Sequence, residues 1–433
     1  MTVSFASRWG TRRVKSLASK IGSGKTPTGG SESYVSEGIT FLRSQNVHFS
    51  GLRLDDVAFI TQATHHEMWG SRVSAGDVLL NITGASLGRV TPAPHDIGEA
   101  NVNQHVCIIR PGQHAHPGYL SYALASRPGQ EQIFELQVGG NREGLNFEQV
   151  GNLSVPAAPL EEQRRIADFL DVETARIDRL AARYARMAGL VAERRSALIR
   201  EQLSTGEVTA PESRRVPWLS HMPEHWGAAP LRYISRIQRG ASPRPIDNPD
   251  YFEETGTHAW VRISDVTASG KYLRTSTQRL SPLGVSLSVP LEPGELFVSI
   301  AASVGKPVIT DIPCCIHDGF VAIRNPSVNT DLLYYVLLLG DAFKGLGKLG
   351  TQLNLNSESI GSIKVPVPPE SEQKAIVARL DDGLRSMDDL QASLRRQSHL
   401  LAERRQALIT DAVTGRFDVS TADSRNVTDG VQA

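Results

Sequence analysis

The sequence is poor in cysteine and has no long apolar run. Its three cysteines, Cys107, Cys314 and Cys315, are too few for a disulfide framework, which indicates a reducing compartment. The longest apolar run, 332–339, is far shorter than the ~20 residues that span a bilayer. The first residues also lack the apolar centre of a secretory signal. We therefore expect a soluble, cytoplasmic protein that does not enter a membrane.

The chain also has no excess of charge, since 46 basic residues balance 46 acidic ones. This balance argues against a binder that holds any polyanion regardless of its sequence, although it leaves room for local basic faces. A length of 433 residues predicts two or three domains, and a hydrophobic content of 40% is sufficient for real cores.

What the sequence does contain is a long internal repeat, the feature that decides the fold class of such a chain. The stretch 160–199 recurs 210 residues later without a gap, so that Glu162-Gln163 becomes Glu372-Gln373 and Arg195 becomes Arg405. Apolar residues in both copies recur every 3.5 residues on average, which predicts long helices with a coiled-coil seam. An ordinary core helix is the alternative, but two matched stripes of this length favour helices that pair with each other. The predicted pairing residues are Ile166, Leu170, Ile177, Leu180, Tyr184, Met187, Val191, Leu198, Ile376, Leu380, Met387, Leu390, Leu394, Leu401 and Leu408.

The repeat extends beyond the helices, with offsets that drift by several residues. Gly24 matches Gly240, Arg43 matches Arg262, and Asn146 matches Asn356. Short β-rich runs between glycine, asparagine and serine signals predict a mixed α/β globular part in each half. The predicted fold class is α+β: a tandem duplication of a mixed α/β domain followed by a long helix, the two helices pairing as an antiparallel coiled coil.

Several motifs resemble catalytic or metal sites but lack a necessary residue. The run 22–26, Gly-Ser-Gly-Lys-Thr, looks like the end of a phosphate-binding loop, but the full pattern needs a glycine at position 19, where the chain has Ser19. The run 248–251, Asn-Pro-Asp-Tyr, resembles an adenine methyltransferase motif without its second proline, and an Asn-Pro turn explains it better. The histidines at 65, 66, 114 and 116 lack metal-ligand spacing. We expect neither a catalytic residue nor a metal site.

What remains is a set of polar and basic loop residues. Arginine pairs well with guanine, and asparagine or glutamine with adenine, because their donors and acceptors match those base edges. Any one of these residues alone is explained as a solvated loop residue, but a set repeated at matched places favours a DNA surface. In the first half it comprises Lys25, Thr26, Arg43, Gln45, Asn46, Thr83, Ser86, Arg89, Asn103, Gln104, His105, Asn141 and Arg142. In the second half it comprises Arg239, Ser242, Arg244, Arg262, Ser264, Asp265, Ser303, Lys306, His317, Asp318, Lys348 and Gln352.

Together these residues resemble the specificity subunit of type I restriction–modification systems. Three features carry the resemblance: the Pro-Leu-Glu-Glu-Gln start at 159–163 with its echo at 368–373, the run 216–226 with Val-Pro-Trp-Leu and Glu-His-Trp, and the duplication itself. The resemblance implies a target-recognition domain at 1–158, a conserved helical spacer at 159–204, a linker and second recognition domain at 205–368 and a second helical region at 369–416. The last stretch, 417–433, is polar and poor in apolar residues, which predicts a disordered tail.

The resemblance also implies a function and partners. Such a chain is a non-catalytic subunit that reads a bipartite, asymmetric site in double-stranded DNA. It binds two methyltransferase subunits and, through the complex, the restriction subunits. The complex is an adenine-N6 DNA methyltransferase and an ATP-dependent endonuclease, so S-adenosylmethionine, ATP and Mg²⁺ belong to the partners. Two other interpretations stay open on the residues alone: a self-contained DNA methyltransferase or nuclease, and a coiled-coil adaptor without a DNA role.

Overall fold

The structure is a computed structural model that describes Phe5 and residues 7–137, 144–204, 215–301, 304–344, 346 and 355–421. It divides into two compact units, which are Met1–Met187 with Leu394–Ala433, and Ala188–Ser393. Each unit therefore contains one globular part and portions of both long helices. Most of the predicted disordered tail, from residue 422 onward, lies outside the described residues.

The first globular part mixes short strands with short helices. In chain order its elements are β1 (Thr11–Arg13), α1 (Val14–Leu17), β2 (Ala18–Ser23), β3 (Ile39–Leu42), β4 (Val47–His48), β5 (Gly51–Leu52), β6 (Ala58–Ile60), α2 (Gln62–Glu67), β7 (Arg72–Val73), β8 (Val78–Asn81), β9 (Val90–Pro92), β10 (Ala100–Val102), β11 (Val106–Pro111), α3 (Pro117–Ala125), α4 (Arg127–Glu135), α5 (Phe147–Asn152) and β12 (Ser154–Pro156).

Two sheets form the core of this part, with strand orders β2-β11-β8-β9 and β6-β3-β10-β7. Successive side chains of a strand point to opposite faces, so each face of the first sheet has its own partner. Leu80 of β8 and Cys107 of β11 pack with Leu120 of α3. The alternate residues Leu79 and Ile108 pack among residues of the second sheet. The first sheet therefore lies between a helix and the second sheet, buried on both sides.

The first long helix, α6 (Leu160–Leu203), follows this part and leads to the second part. The elements of the second part are β13 (Gly227–Pro230), α7 (Leu231–Ile234), β14 (Arg236–Arg239), β15 (His258–Val261), α8 (Ile263–Ala268), β16 (Tyr272–Leu273), β17 (Arg279–Leu280), α9 (Pro282–Ser286), β18 (Val289–Leu291), β19 (Leu296–Ser299), β20 (Pro307–Thr310), β21 (Cys314–Ile316), β22 (Phe320–Arg324), α10 (Thr330–Leu338), α11 (Ser357–Ser362) and β23 (Lys364–Val367). The second long helix, α12 (Glu370–Thr414), comes last among the long elements.

The second part repeats the layers of the first. Its sheets have the orders β14-β22-β19-β20-β16 and β17-β15-β21-β18. Leu296 and Ile323 pack with Leu333 of α10, whereas Phe297 and Ala322 pack in the cluster between the two sheets. In both parts the first strand also pairs with the last, as β1 with β12 and β13 with β23. Each part therefore closes on itself before the chain continues into a long helix.

A buried glutamine joins each long helix to its globular part. Gln163 donates its amide to the carbonyls of Ala158 at 2.8 Å and His114 at 3.1 Å, and accepts from the backbone N–H of His116 at 2.8 Å. Gln373 repeats the arrangement with Pro368 and Asn329. This contact explains why the glutamine recurs at the start of both helices.

Within each unit the two long helices run antiparallel. In the first unit Arg405 of α12 donates to Asp178 of α6 at 3.0 Å, and Ile166 packs near Val413. In the second unit Arg195 of α6 pairs with Asp388 of α12. The sequence numbers rise along one helix as they fall along the other. Together with the duplicated globular parts, this confirms the predicted fold class.

The buried face of the helices differs in part from the predicted stripe. Ile166, Leu170, Ile177, Ile376, Leu380, Leu394 and Leu408 are buried, whereas Met187 and Leu390 are exposed. The exposed residues lie near the middle of each helix, and later members of the same stripe, Leu394 and Leu408, are buried again. Residues outside the stripe that are also buried are Ala167, Thr174, Ile199, Leu203, Leu384, Ile409, Ala412 and Val413.

The C-terminal end of α12 and one crossing point of the long helices depend on glycine. Gly415 has φ +73°, the left-handed conformation that ends helices, and a Cβ there would lie 2.7 Å from the ring of Trp9. Gly383, which interrupts the predicted stripe, faces Leu198, whose Cδ2 would be 2.8 Å from an added Cβ. The helices approach closely at this point because residue 383 has no side chain.

Candidate nucleic-acid interface

The loops that carry the predicted polar residues of the first part meet at one edge of its sheets. Strand β10 pairs with β3 in parallel, so both end together at residues 102 and 42. Strand β11 starts there and runs antiparallel to β2 and β8, so residues 23 and 81 also lie at this edge. Backbone bonds confirm the convergence, since Gly24 N–H donates to Asn103 O at 3.2 Å and Ile82 N–H to His105 O at 3.0 Å.

The side chains on these loops form one hydrogen-bonded chain. Thr26 Oγ1 donates to Gln104 Oε1, and Gln104 Nε2 lies 3.1 Å from His105 Nε2. Because the amide nitrogen is a donor, this imidazole nitrogen accepts, and Nδ1–H donates to Thr83 Oγ1 at 2.5 Å. Thr26, Gln104 and the neighbouring Lys25 are exposed. The sheet edge thus presents an ordered row of polar groups to solvent.

A second feature of the edge is the turn that follows β3. The backbone N–H of Arg43 donates to Asn46 Oδ1 at 2.9 Å, and its guanidinium donates to Asp56 O at 3.1 Å. Asn46 is buried and donates to the carbonyls of Arg53 and Asp56 at 2.9 and 3.0 Å. Gln45 is exposed and donates to the Asp56 carboxylate at 2.6 Å. Asn46 therefore shapes the turn that holds Arg43 and has no free group for a base.

Asn103 has a similar internal role. It is buried, and its Oδ1 accepts from the backbone N–H of His105 at 3.1 Å. Ser86 and Arg89 lie in the turn between β8 and β9, where Arg89 N–H donates to Ser86 O at 3.1 Å. Asn103 thus fixes the shape of the loop, while Ser86 and Arg89 belong to the same edge as Thr83.

The second part builds a matching row from different side chains. Ser242 Oγ donates to Asp318 Oδ1 at 2.7 Å, as Thr26 does to Gln104. Arg239 Nε donates to Asp318 O at 3.0 Å, and Arg244 lies 3.6 Å from the Asp318 carboxylate. The hydrogen bond from Ser242 is the main cause that lowers the pKa of Asp318. The row therefore has a charged acceptor between exposed arginines, where the first part has a neutral amide.

The imidazole of His317, beside this carboxylate, is part of the support of the row. Its ring lies 4.5 Å from that of Phe320, and its Nδ1 accepts from the backbone N–H of Gly319 at 2.9 Å. Burial lowers the pKa of His317, so the ring is neutral near pH 7. His317 thus packs under the row.

The turn after β15 also repeats its counterpart. The backbone N–H of Arg262 donates to Asp265 Oδ2 at 2.9 Å, and its guanidinium donates to Gln278 Oε1 at 2.5 Å. Lys306 donates to the carbonyls of Thr267 and Ser269 at 2.9 and 3.0 Å. The side chains of Asp265 and Lys306 are therefore engaged by neighbouring backbone groups, whereas Arg262 and Ser264 are exposed.

At two glycines of this edge the backbone passes very close to another backbone segment. A Cβ on Gly24 would lie 1.6 Å from Val102 O, and one on Gly240 would lie 2.1 Å from His317 O. No larger residue fits at either place, because the obstructing atoms belong to the backbone. The matched glycines found in the sequence thus mark the same crossing in both parts.

Five predicted residues lie outside the described residues: Asn141, Arg142, Ser303, Lys348 and Gln352. Among the described residues, no group of three or more histidine, cysteine, aspartate or glutamate side chains could hold a metal ion. In the same part of the chain, no helix combines the length and apolar character needed to cross a membrane.

Sequence reasoning missed two kinds of residue. Gln163 and Gln373 were visible as a repeated motif, but only the contacts reveal that they join helix to globular part. Trp69 is 75% exposed, in a turn that Asn101 of β10 holds by hydrogen bonds, and one tryptophan among five in the sequence gives no signal of that position.

Comparisons with known proteins agree with this architecture. The chain matches the family model described as "Type I restriction modification DNA specificity domain" over residues 7–185 and 224–396. A candidate type I restriction enzyme MjaX specificity subunit of Methanocaldococcus jannaschii is 22% identical, covering 95% of this chain and 94% of that protein. The MjaVIII specificity subunit of the same organism is 23% identical, over 62% of this chain and 63% of its own length.

A solved structure supports the fold. A chain from the study of complex assembly and conformational transition of the type I R-M system superposes with a TM-score of 0.60. It is 21% identical, and the match covers 94% of this chain and 98% of that chain. The two family matches span most of the sequence, one in each half. The chain belongs to the type I restriction–modification DNA specificity family and is a specificity subunit, a non-catalytic component of such a system.

Proposed function

We propose that this chain reads a bipartite, asymmetric site in double-stranded DNA, with one half-site bound by each globular part. One observation carries the proposal: both parts place an ordered polar row at the same sheet edge, on the same backbone crossing, but with different side chains. Thr26 and Gln104 form the row in the first part, and Ser242 and Asp318 form it in the second. A shared frame with different donors and acceptors suits two readers of unlike sequences.

The chemistry of each row suggests what it recognises. In the first part Gln104 offers an amide, which suits adenine, and the exposed Lys25 suits a phosphate. In the second part Arg239 and Arg244 suit guanine or phosphate, and the Asp318 carboxylate accepts from cytosine N4. Arg43 and Arg262 are held by their turns at matched places, which reduces the entropy lost when they bind. Asn46, Asn103, Asp265 and Lys306 support these groups from inside.

The central regions of the long helices are proposed to bind two methyltransferase subunits. Leu190 and Leu400 occupy matched positions of the repeat and are 54% and 53% exposed. Met187 and Leu390 are exposed nearby in sequence. Large apolar side chains that remain exposed on otherwise charged helices are typical of protein-binding surfaces. Two equivalent positions suit two copies of one partner, through which the restriction subunits join the complex.

The proposed complex works in the cytoplasm, in agreement with three buried, unpaired cysteines. S-adenosylmethionine, ATP and Mg²⁺ are supplied by the partner subunits in this proposal. The described part of this chain contributes recognition and assembly.

The test is co-expression of this chain with the methyltransferase encoded beside it, followed by mapping of modified adenines across the host genome. We expect a motif of two short segments separated by unspecified bases, present only when this chain is present. Exchange of residues 1–150 for those of a relative should change one segment and leave the other unchanged. A continuous motif, or methylation that is independent of this chain, would refute the proposal.

The other two functions predict different results in the same experiment. A self-contained methyltransferase would modify DNA when this chain is expressed alone. A coiled-coil adaptor would bind the methyltransferase without giving the complex any preference for one DNA sequence.

A further inference from the structure

Trp69 is the most exposed large apolar side chain among the described residues, with 75% of its surface accessible. It begins a 3₁₀ turn, Trp69–Ser71, that lies between α2 and β7. Such exposure leaves the hydrophobic surface of an indole in water, an unfavourable arrangement that a binding partner would relieve.

A buried polar network fixes this turn. The Asn101 amide nitrogen donates to Met68 O at 2.9 Å and to Ser71 Oγ at 2.8 Å, and its oxygen lies 2.5 Å from His65 Nδ1. Asn101, Ser71 and His65 are all buried. Lys20 Nζ donates to Gly70 O at 2.7 Å from outside the network. The backbone that carries the exposed indole is therefore ordered before any partner arrives.

The strand register places the turn at the polar edge. Arg72 of β7 pairs with Asn101 of β10 in the antiparallel ladder. The Asn101 side chain also holds Met68 and Ser71, on either side of Trp69 and Gly70. Asn101 is the residue before the last of β10, so the turn that carries the indole lies at the end of the strand from which the loop with Gln104 continues.

The second part exposes a large apolar residue at the equivalent place. Val289 of β18 pairs with Ile316, the last residue of β21, so the segment before β18, which contains Leu287, lies at the strand end that continues into His317 and Asp318. Leu287 is 45% exposed, and Leu283, one helical turn before it, is also exposed. A hydrogen bond from Gly284 N–H to Ser281 Oγ caps α9 and fixes this segment. The two parts therefore share an exposed apolar side chain at the strand end that carries the polar row, with a different shape in each.

Two observations favour DNA over a protein as the partner. In both parts the apolar residue lies at the strand end that also carries the hydrogen-bonding groups, and surfaces that read DNA combine polar contacts to base edges with apolar contacts to the thymine methyl group or a base step. The turn of Trp69 is also bordered by Lys20 and Arg72, whose guanidinium donates to His65 O at 3.2 Å. The carboxylate of Glu99 on the other side lies 3.5 Å from His65 Nε2.

We infer that Trp69 and Leu287 are specificity-determining residues that press an apolar side chain against the bases of their half-sites. This inference rests on the proposed function, because it requires DNA at the polar edge of each part. The indole suits contact with a flexible pyrimidine–purine step or a thymine methyl group, and the smaller leucine suits a methyl group.

The test uses the complex with the methyltransferase and a duplex that carries the site mapped from modified adenines. Trp69→Ala should weaken binding of this duplex roughly 5- to 100-fold, the range of a lost aromatic–base contact. Trp69→Phe should retain most of the binding. Leu287→Ala should relax sequence preference in the opposite half-site only. Tyr233→Ala is the matched control, since Tyr233 is 73% exposed but precedes β14 at the end far from Arg239.

Fluorescence gives a readout that does not depend on an unstable variant. The chain has five tryptophans, so the difference between wild-type and Trp69→Phe emission isolates Trp69. Quenching or a blue shift of that difference on addition of the mapped duplex, absent with an unrelated duplex, supports the inference. Unchanged binding by Trp69→Ala, or loss of methyltransferase binding instead of DNA binding, overturns it. If the wild-type complex itself lacks sequence preference, the proposed function fails and this inference falls with it.

Discussion

The Gln163 side chain joins the start of α6 to the loop before α3, and we predict that Gln163→Ala destabilises the first unit by about 2–4 kcal/mol. The amide makes three hydrogen bonds, to Ala158 O, His114 O and the N–H of His116, and it is buried. Each lost bond costs about 1 kcal/mol, and a buried donor left without a partner costs about 1–3 kcal/mol. The N–H of His116, left without an acceptor, makes the main contribution to this loss of stability, since water that enters the space can donate to the two carbonyls.

Hydrogen exchange of the intact chain measures this effect where it occurs. The amide of His116 should exchange about 30- to 1000-fold faster in Gln163→Ala, the factor that corresponds to about 2–4 kcal/mol. Gln373→Ala should act likewise on the amide of Asn329 in the second unit. Arg164→Ala is the control, because its pair with Glu161 is exposed and contributes under about 1 kcal/mol. Unchanged exchange at His116 would refute the role assigned to Gln163.

Three further predictions follow from the contacts. Gly24→Ala should destabilise the first unit by about 3 kcal/mol, because its Cβ would meet Val102 O, whereas Gly22→Ala should cost under about 1 kcal/mol in urea unfolding. Burial raises the pKa of the Cys315 thiol to about 12, so with rising pH this thiol ionises in the unfolded chain before it ionises in the folded one. The free energy of unfolding should therefore fall as pH rises from about 9 to 12. In Cys315→Ala the free energy of unfolding should fall less steeply over the same pH range. Leu190→Asp and Leu400→Asp should each remove one methyltransferase subunit, as counted by native mass spectrometry, and a complex that retains both would contradict the proposed docking surface.

The long helices could be predicted from sequence because their signals are local and duplicated. The observed bounds, Leu160–Leu203 and Glu370–Thr414, follow the apolar repeat and the acidic first turns. The sequence predicted less well which residues of each helix lie on the face that contacts the other helix. A stripe read with one fixed period includes Met187 and Leu390, which are exposed, as well as Leu394 and Leu408, which are buried, because periodicity alone does not show where along its length a helix contacts its partner.

The polar edge was predictable in residue type but not in role. Asn46 and Gln45 are adjacent and both suit adenine, yet only the fold buries Asn46 and exposes Gln45. The matched glycines at 24 and 240 could be aligned from the sequence, but the backbone carbonyls that require them come from distant strands. The turn of Trp69 reaches the end of β10 only through the pairing of β7 with β10, a contact that no local pattern contains.

The antiparallel pairing also explains why the helices kept their register while the globular parts drifted. The two long helices are copies of each other and pair antiparallel. Each contact between them therefore implies a second contact, made by the two residues that occupy the matching positions of the repeat. Asp178 with Arg405 therefore implies Asp388 with Arg195, and both pairs are present, one in each unit. An insertion between Asp178 and Arg195 would shift the register of one of these pairs relative to the other. Loops at the polar edge carry no such constraint, because each part closes on its own strands. Length changes there alter only one part.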